Sequence, residues 1–460
     1  MSAYLMLGAA GSFLLALALS LLTTAQWQIF APTVSSLLVF ALFALILYRR
    51  FPENVVGEIG FIYLALTLAY TVLPGITFLL VDFEISSSWV WEKLSLLLPE
   101  PSQLGLHLWR HVLFMSGVSI GYLTFRGSEA PVSTHTLPFH RNDSAAVMYL
   151  SGVVSVSIVG ISGLSAPVES YIDHYVRFEH LDPFLLRVVY ILLILKTSGY
   201  FLLLTLLFQN YNRYRLLIPP VVIAMSAYET AYSFGSRIET LGILLGTVCL
   251  YHYKVSRISL KQGFWAFTAI AALFSVIEIF RSVGFDFGAT KDAVATEGAS
   301  PASEFGAVFF TGFHLYSERA AGTLPKADAL MFFNDILALV PFVDHIEWNP
   351  QYWYARNYFP EAIVPPQTNG PIADSAIWGG ELDLLVRAIV SGAVYAGLMR
   401  WFIKRRNFWW ATVIFTYCFA TSVMALKYSV FYQLAPLLRI ILPGLLILLL
   451  LTKIVRGARL

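Results

Sequence analysis

The feature that most constrains this chain is a series of long apolar segments that recur from residue 3 to residue 452. A helix needs about 20 predominantly apolar residues to cross the hydrocarbon core of a bilayer. Membrane β-strands would show short alternating runs, whereas the segment 435–453 is apolar almost throughout. Hydrophobic residues make up 58% of the chain and charged residues only 13%, unlike the composition of soluble domains. The sequence therefore predicts an all-α polytopic membrane protein.

The apolar lengths predict about twelve transmembrane helices. Their predicted bounds are 3–23, 28–48, 58–82, 109–125, 145–164, 184–208, 216–234, 237–253, 263–282, 384–403, 407–426 and 434–452. Every second loop is basic, and basic loops face the cytoplasm. The residues concerned are Arg49, Arg50, Arg126, Arg141, Arg213, Arg215, Lys254, Arg257, Lys261, Lys404, Arg405, Arg406, Lys453, Arg456 and Arg459. This alternation predicts a multi-pass protein of the inner membrane with both termini in the cytoplasm.

One long segment on the non-cytoplasmic side divides the chain into three predicted parts. These are helices one to nine in 1–282, with outer loops 83–108 and 165–183, a large periplasmic loop domain in 283–383, and helices ten to twelve in 384–460. A loop of such length is uncommon without structure of its own, so we predict an ordered domain. Aromatic residues at helical spacing predict an interfacial helix over 303–321, and a second is predicted over 327–340.

Composition and motifs exclude several classes of function. A net charge of +2 is too small to indicate a nucleic-acid partner. Cys249 and Cys418 lie inside apolar segments, which argues against a disulfide framework or a zinc site. There is no metal triad, nucleotide-binding loop or nucleophile elbow, so no cofactor is predicted. The first apolar segment lacks a basic start and a cleavage site, so we predict a retained helix rather than a signal peptide.

The most informative short motif is the turn 235–239, between the predicted seventh and eighth helices. Ser236 and Glu239 form an S-x-x-E capping box, which would aim a helix N-terminus with its free N–H groups at the outer side. Arg237 adds a full positive charge at the same place. The turn is therefore a candidate phosphate site. The alternative interpretation is an ordinary helix cap with an arginine that anchors the helix end.

Further arginines are predicted at the same side of the membrane, namely Arg177, Arg187, Arg281, Arg319 and Arg356. Arg439 lies more than one turn inside the last predicted helix, where a charge is costly and indicates function. Guanidinium groups pair with phosphate oxygens bidentately, so these arginines, Arg187 excepted, are candidate ligands of a lipid-linked pyrophosphate. For any single one, the alternative is a helix-end anchor.

Other ionisable residues fall within predicted helices. Lys196 and Glu229 lie on consecutive helices at different predicted depths, and Glu278 shares a helix face with Arg281. Charged side chains inside a membrane usually pair or line a cavity, so both structural pairing and a substrate role remain open for these three residues.

The long outer loop contains the candidate acid–base residues. His314 and Glu318 are spaced i, i+4 and share one helix face, with Arg319 beside them. Such a pair suits deprotonation of a sugar hydroxyl. Glu381, at the start of the tenth predicted helix, is the second candidate, and Asp344, Asp374 and Asp383 are further acidic residues.

Taken together, this layout resembles the Wzy family of O-antigen and related repeat-unit polymerases. The resemblance rests on twelve spans, elaborated third and fifth outer loops, the Gly-Ser-Arg turn that opens the eighth helix, and Gly379-Gly380-Glu381 followed by 388–392. Arg439 in the last helix is also similar to related polymerases. The resemblance implies a metal-independent GT-C-like glycosyltransferase that joins undecaprenyl-pyrophosphate-linked oligosaccharides in the periplasm. The implied partners are these lipid-linked substrates, membrane lipids, a Wzz-type chain-length regulator and, upstream, a flippase.

Three other functions compete with this interpretation. An O-antigen ligase would use the same donor but transfer glycan to lipid A-core. A flippase or other transporter is favoured by Lys196 and Glu229, although no internal repeat supports alternating access. An acyltransferase would need His135 or His140 as base, and both lie in a predicted cytoplasmic loop.

Overall fold

The structure, a computed structural model, is α-helical, and no strand occurs in the residues that it describes. Those residues are 24–80, 100–128, 143–166, 177–178, 180–232, 237–270, 302–337, 339, 349–360, 370–422, 424–427 and 434–457. The predicted first helix lies outside this set, and the ninth is described only as far as residue 270. Arg281, Glu278, Ser236 and Asp344 also lie outside the described residues.

The long helices are α1 (Thr24–Arg50), α2 (Ile59–Leu80), α3 (Pro101–Phe125), α4 (Asp143–Leu164), α5 (Pro183–Gln209), α7 (Ile218–Tyr232), α8 (Arg237–Lys254), α9 (Ala302–Ala321), α14 (Glu381–Arg405), α15 (Trp409–Ala420) and α17 (Leu442–Gly457). The short helices are α6 (Tyr211–Tyr214), α10 (Ala329–Phe332), α11 (Asn334–Leu337), α12 (Pro350–Tyr358), α13 (Pro371–Ile377) and α16 (Met424–Lys427). A 3-10 turn covers Val55–Gly57, and a π-helical segment covers Leu437–Ile441.

Four described helices are long and apolar enough to cross a membrane, namely Gln26–Arg50, Ala145–Leu164, Pro183–Gln209 and Glu381–Arg405. They fall in α1, α4, α5 and α14. Shorter apolar helices include Ile59–Val72, Trp409–Ala420 and Leu434–Leu450. The protein is thus an α-helical protein with membrane-embedded character, as the apolar pattern predicts.

Several predicted bounds differ from the observed helices, and two of these differences have a clear local cause. Helix α3 begins at Pro101 rather than at 109, because Pro is favoured in the first helical turn and the polar His107 is buried against Phe309 of α9. The helix predicted over 327–340 is two short helices, α10 and α11. Asp328 caps α10, and Phe333 ends it by donating its backbone N–H to Leu330 O, a tight 3-10 closure.

Helices α3 and α14 make the most extensive contact of any helix pair in the described bundle. A Cβ atom at Gly121 would overlap the carbonyl of Ile389, and one at Gly392 would overlap that of Val118. Small residues allow two helix backbones to approach in this way. The contacts advance in the same direction along both helices, so α3 and α14 are parallel.

The relative directions of neighbouring helices follow the alternation expected from the basic loops. Helix α1 is parallel to α3, since Gln28 lies beside Gly105 at one end and Arg50 donates to Leu123 O at the other. Helix α2 is antiparallel to α3, with Glu58 beside Arg126 and Thr71 beside His111. We call the end of the bundle that carries Arg50, Arg126, Lys254 and Arg406 the basic face.

A buried polar network joins three helices at the basic face. Glu58 and Arg126 form an ion pair at 2.7 Å, and the side chains of both are 0% exposed. Tyr122 donates its hydroxyl to the same carboxylate at 2.6 Å. Asn54 donates to Glu58 and accepts from Arg257, which follows α8. Because a buried ion pair is costly to break, this network holds α2, α3 and the end of α8 in one arrangement.

Candidate active site opposite the basic face

Helix α9 packs on the bundle at the end opposite the basic face, against α2, α3 and α13. Its side chains Phe309, Phe313 and Tyr316, whose spacing places them on one helix face, are buried. His107 of α3 lies against Gly312, where a larger residue would leave little room. Helix α9 and the helical bundle therefore share one hydrophobic interface.

Arg110 connects this helix to the start of α14. Its Nε and NH2 atoms both lie 2.9 Å from Glu381 Oε1. Its guanidinium carbon lies 3.7 Å from the centre of the Tyr316 ring, a cation–π contact. The Arg110 side chain is 12% exposed and that of Glu381 is 57% exposed. A carboxylate is thus held in place by a nearly buried arginine while much of its surface faces outward.

The hydroxyl of Tyr316 lies 2.9 Å from Ser375 Oγ in α13. Ser375 uses its own hydrogen in a bond to Ile372 O, so Tyr316 is the donor. Burial raises the pKa of Tyr316 to about 12, although the hydrogen bond with Ser375 opposes this. Tyr316 therefore remains neutral near pH 7. Its ring packs against the Arg110 guanidinium, and its hydroxyl bond to Ser375 holds that ring in place.

Local backbone geometry explains why Glu381 stands where it does. Gly380 has a φ of +64°, a left-handed conformation that favours glycine, and it precedes the first residue of α14. Its N–H donates to Ser375 O at 2.8 Å. Glu381 follows at the helix N-terminus, where the helix dipole stabilises a negative charge. The Gly379-Gly380-Glu381 motif is thus a sharp turn that presents a carboxylate.

Arg319 lies beside this turn and supports its backbone. Its NH1 atom donates to the carbonyls of Ala376 and Trp378, both at 2.8 Å. These two contacts join the end of α9 to the end of α13. The side chain was predicted as a phosphate ligand, and its NH1 atom is engaged by the protein itself.

The predicted pair His314 and Glu318 lies on another side of α9. His314 Nε2 is 3.8 Å from Glu318 Oε1, and its Nδ1 is 2.8 Å from the hydroxyl of Tyr354 in α12. Burial lowers the pKa of His314 below its ordinary value, while Glu318 partly opposes this shift. Residues 314 and 316 are about 200° apart around a helix. His314 and Glu381 therefore do not converge on one point.

The remaining acidic candidates of this region are paired. Arg387 of α14 lies 2.7 Å from Asp383 Oδ2 and 3.9 Å from Asp374 Oδ2. The three side chains are mostly buried, with exposed fractions between 6% and 17%. This arrangement assigns Asp374 and Asp383 to an ion-pair network that joins α13 to α14.

The predicted phosphate arginines are spread over several helices. Arg177 is buried, donates to Tyr232 O at 2.7 Å and lies 3.6 Å from the centre of the Tyr232 ring. Arg356 is exposed on α12, and Arg237 begins α8 with its side chain outside the described set. Arg439 lies in the π-helical segment before α17. The described arginines of this group thus lie on separate helices and loops.

Lys196 and Glu229, whose pairing the sequence left open, form an ion pair. Lys196 Nζ is 2.7 Å from Glu229 Oε1, and both side chains are buried. The rings of Tyr200, Tyr228 and Tyr232 surround the ammonium at 5.0–5.8 Å from their centres. The pair joins α5 to α7.

Sequence reasoning missed Arg110, which the structure places in contact with Glu381. The available signal was an arginine at the edge of one apolar segment and a glutamate at the edge of another, both on the predicted outer side.

Comparison of the chain with protein-family models, curated proteins and solved structures found no significant match. Function must therefore be argued from this site.

Proposed function

We propose that this protein is a GT-C-like membrane glycosyltransferase that polymerises undecaprenyl-pyrophosphate-linked oligosaccharide units, the function implied by its resemblance to O-antigen polymerases. The observation that supports this most directly is the Glu381 carboxylate, held by Arg110 at the face opposite the basic loops. With the basic face in the cytoplasm, this carboxylate faces the periplasm, where such substrates are polymerised. In this proposal, about twelve transmembrane helices form the bundle that surrounds the site.

In the proposed reaction, an acceptor sugar hydroxyl attacks the anomeric carbon of the growing chain. A new glycosidic bond forms, the bond between that carbon and the phosphate oxygen breaks, and undecaprenyl pyrophosphate leaves with the bonding electrons. The hydroxyl proton passes to a general base. Glu381 fits this role better than His314, because Glu381 is 57% exposed whereas His314 is buried against Tyr354. Glu318, 22% exposed, is the alternative proton acceptor.

The departing pyrophosphate requires positive charge near its oxygens. We assign this role to the predicted arginines, foremost Arg237 at the N-terminus of α8 and Arg439 in the last helical segment. Guanidinium groups hold phosphate bidentately, so lysine would be a poor substitute at these positions. Arg177, Arg281, Arg319 and Arg356 remain secondary candidates. A chain-length regulator is the expected protein partner.

The test uses purified protein in proteoliposomes that contain defined lipid-linked repeat units, without added metal or nucleotide. We expect a ladder of lipid-linked polymers, which Arg237→Ala and Arg439→Ala abolish at matched protein levels while Arg187→Ala, an exposed control at the start of α5, retains it. Absence of any polymer from the wild-type protein would reject the proposal. Transfer of glycan to lipid A-core instead would identify a ligase.

Orientation is tested separately with reporter fusions. Fusions after Arg50 and Arg406 should report the cytoplasm, and a fusion near Asn349 should report the periplasm. A cytoplasmic signal at Asn349 would place the proposed chemistry in the wrong compartment.

A transporter is the second candidate, and the buried Lys196–Glu229 pair is the observation that favours it. Ionisable residues inside a membrane often mark a substrate or ion pathway. Wild-type protein that moves lipid-linked units between leaflets, without lengthening them, would support this candidate over the polymerase.

A further inference from the structure

The last helical region is interrupted beside Arg439, and the amino-acid sequence explains the interruption. Pro443 lies four residues after Arg439 and has no backbone N–H, so it cannot donate the usual helical bond to the Arg439 carbonyl. A proline ring also clashes with the carbonyl four residues before it. The chain forms a π-helical segment over Leu437–Ile441 immediately before α17. Single π-helical turns of this kind are frequent at functional sites.

Hydroxyl groups of α5 donate to two carbonyls of the interrupted segment. Tyr190 donates its hydroxyl to Arg439 O at 3.4 Å, and Ser198 donates to Ile440 O at 3.2 Å. These are consecutive carbonyls of the interrupted segment. Backbone carbonyls in a membrane environment need such partners, since water does not supply them. Both donors lie on one side of α5 and bind the segment at its irregular turn.

A glycine allows this close approach. A Cβ atom at Gly444 would overlap the side chain of Ser198 and lie 3.0 Å from the Ile194 carbonyl. The dipeptide Pro443-Gly444 therefore has two effects: the proline opens the helix after Arg439, and the glycine brings the opened turn against α5. An ordinary apolar helix with a lipid-facing arginine needs neither feature.

We propose that Tyr190 and Ser198 are positioning residues for Arg439, which they hold through the backbone of the interrupted turn so that its guanidinium is preset for the leaving pyrophosphate. This inference rests on the proposed function for the identity of the ligand. The backbone part, that two hydroxyls of α5 fix the turn at Arg439, does not depend on it. Lys196 lies roughly on the opposite side of α5 from Tyr190 and Ser198, so the Lys196–Glu229 pair is a separate feature.

The first experiment measures the backbone part alone. Amide hydrogen exchange of 437–445 is followed in purified wild-type protein, in Tyr190→Phe, in Ser198→Ala and in the double variant. Thr205→Val is the matched control, because this buried hydroxyl of α5 bonds only to Phe201 O of its own helix. We expect faster exchange in the Tyr190 and Ser198 variants and no change in the control. Unchanged exchange in the double variant would overturn the inference, whatever the protein's activity.

The second experiment measures function by rates of polymer formation in proteoliposomes. We expect kcat to fall by about tenfold to 100-fold in Tyr190→Phe/Ser198→Ala, with KM nearly unchanged, because a small displacement of a charge reduces transition-state contact. In an Arg439→Lys background the same changes should cost little more, since they act through Arg439. Equal losses with and without Arg439 would refute the positioning role. A wild-type protein without polymerase activity would reject the proposed function and leave the exchange result to decide the backbone part.

Discussion

Replacement of Arg110 by glutamine tests how much the orientation of the Glu381 carboxylate contributes to the proposed reaction, because the carboxylate itself is kept. The exchange removes both contacts to Glu381 Oε1 and the cation–π contact with Tyr316, but it leaves the carboxylate in place. Because Glu381 is 57% exposed, their ion pair contributes only about 0–1 kcal/mol to stability. We therefore expect Arg110→Gln to fold normally and to lower the melting temperature only slightly.

The expected effect on catalysis is larger than the effect on stability. Glu381→Gln removes the proposed base, and general-base catalysis typically contributes about 10²- to 10⁴-fold in rate. Arg110→Gln keeps the Glu381 carboxylate but removes the contacts that orient it. We expect this change to lower kcat by about tenfold to 100-fold. The double variant should be no slower than Glu381→Gln alone, because Arg110 acts through Glu381.

The assay is polymer formation by purified variants in proteoliposomes, with protein amount and melting temperature measured in parallel. Arg187→Gln, an exposed arginine at the start of α5, is the matched charge control. Wild-type rates for Glu381→Gln would show that the base is elsewhere, and His314→Gln and Glu318→Gln would then be the variants to measure. Additive losses in the double variant would show that Arg110 does not act by orienting Glu381.

Three further predictions follow from buried charges. Burial lowers the pKa of His314, so the folded state favours the neutral imidazole, and thermal stability should fall as the pH drops below about 6.5. His314→Gln should show a shallower fall, and equal falls would contradict the prediction. Glu58→Gln should lower the free energy of unfolding by about 3–5 kcal/mol in a denaturation series, because it leaves the Arg126 charge buried without its carboxylate. Lys196→Met should reduce folded yield while Lys196→Met/Glu229→Leu restores it, and a double variant with the same low folded yield as the single one would contradict this prediction.

Apolar length was a reliable guide to where helices lie. The predicted spans 28–48, 145–164 and 184–208 correspond closely to α1, α4 and α5, because a continuous apolar segment has few alternatives to a helix in a membrane. The start of α3 was misplaced by the same reasoning. Its first turns combine leucines with polar residues, and the polar His107 is buried against Phe309 of α9, which is distant in the sequence.

The candidate site could be predicted only in part. The i, i+4 spacing of His314 and Glu318 correctly placed both on one helix face. The neighbours of that helix face are determined by tertiary packing, and residue spacing alone does not identify them. For the same reason the Arg110–Glu381 contact, between residues 271 positions apart, was not predicted. The phosphate-binding prediction for Arg319 rested on its charge. In the structure, its guanidinium donates to the backbone carbonyls of Ala376 and Trp378 at the end of α13.

The polar network at the basic face has a consequence for biogenesis. Glu58 and Arg126 leave the ribosome 68 residues apart, so their pair forms once α2 and α3 have both been inserted. Asn54 gains its contacts with His252 and Arg257 only when α8 is complete, about 200 residues after Asn54 itself. The nascent bundle therefore holds an early helical hairpin whose charged end is closed by a much later segment, and the two events give assembly a defined order.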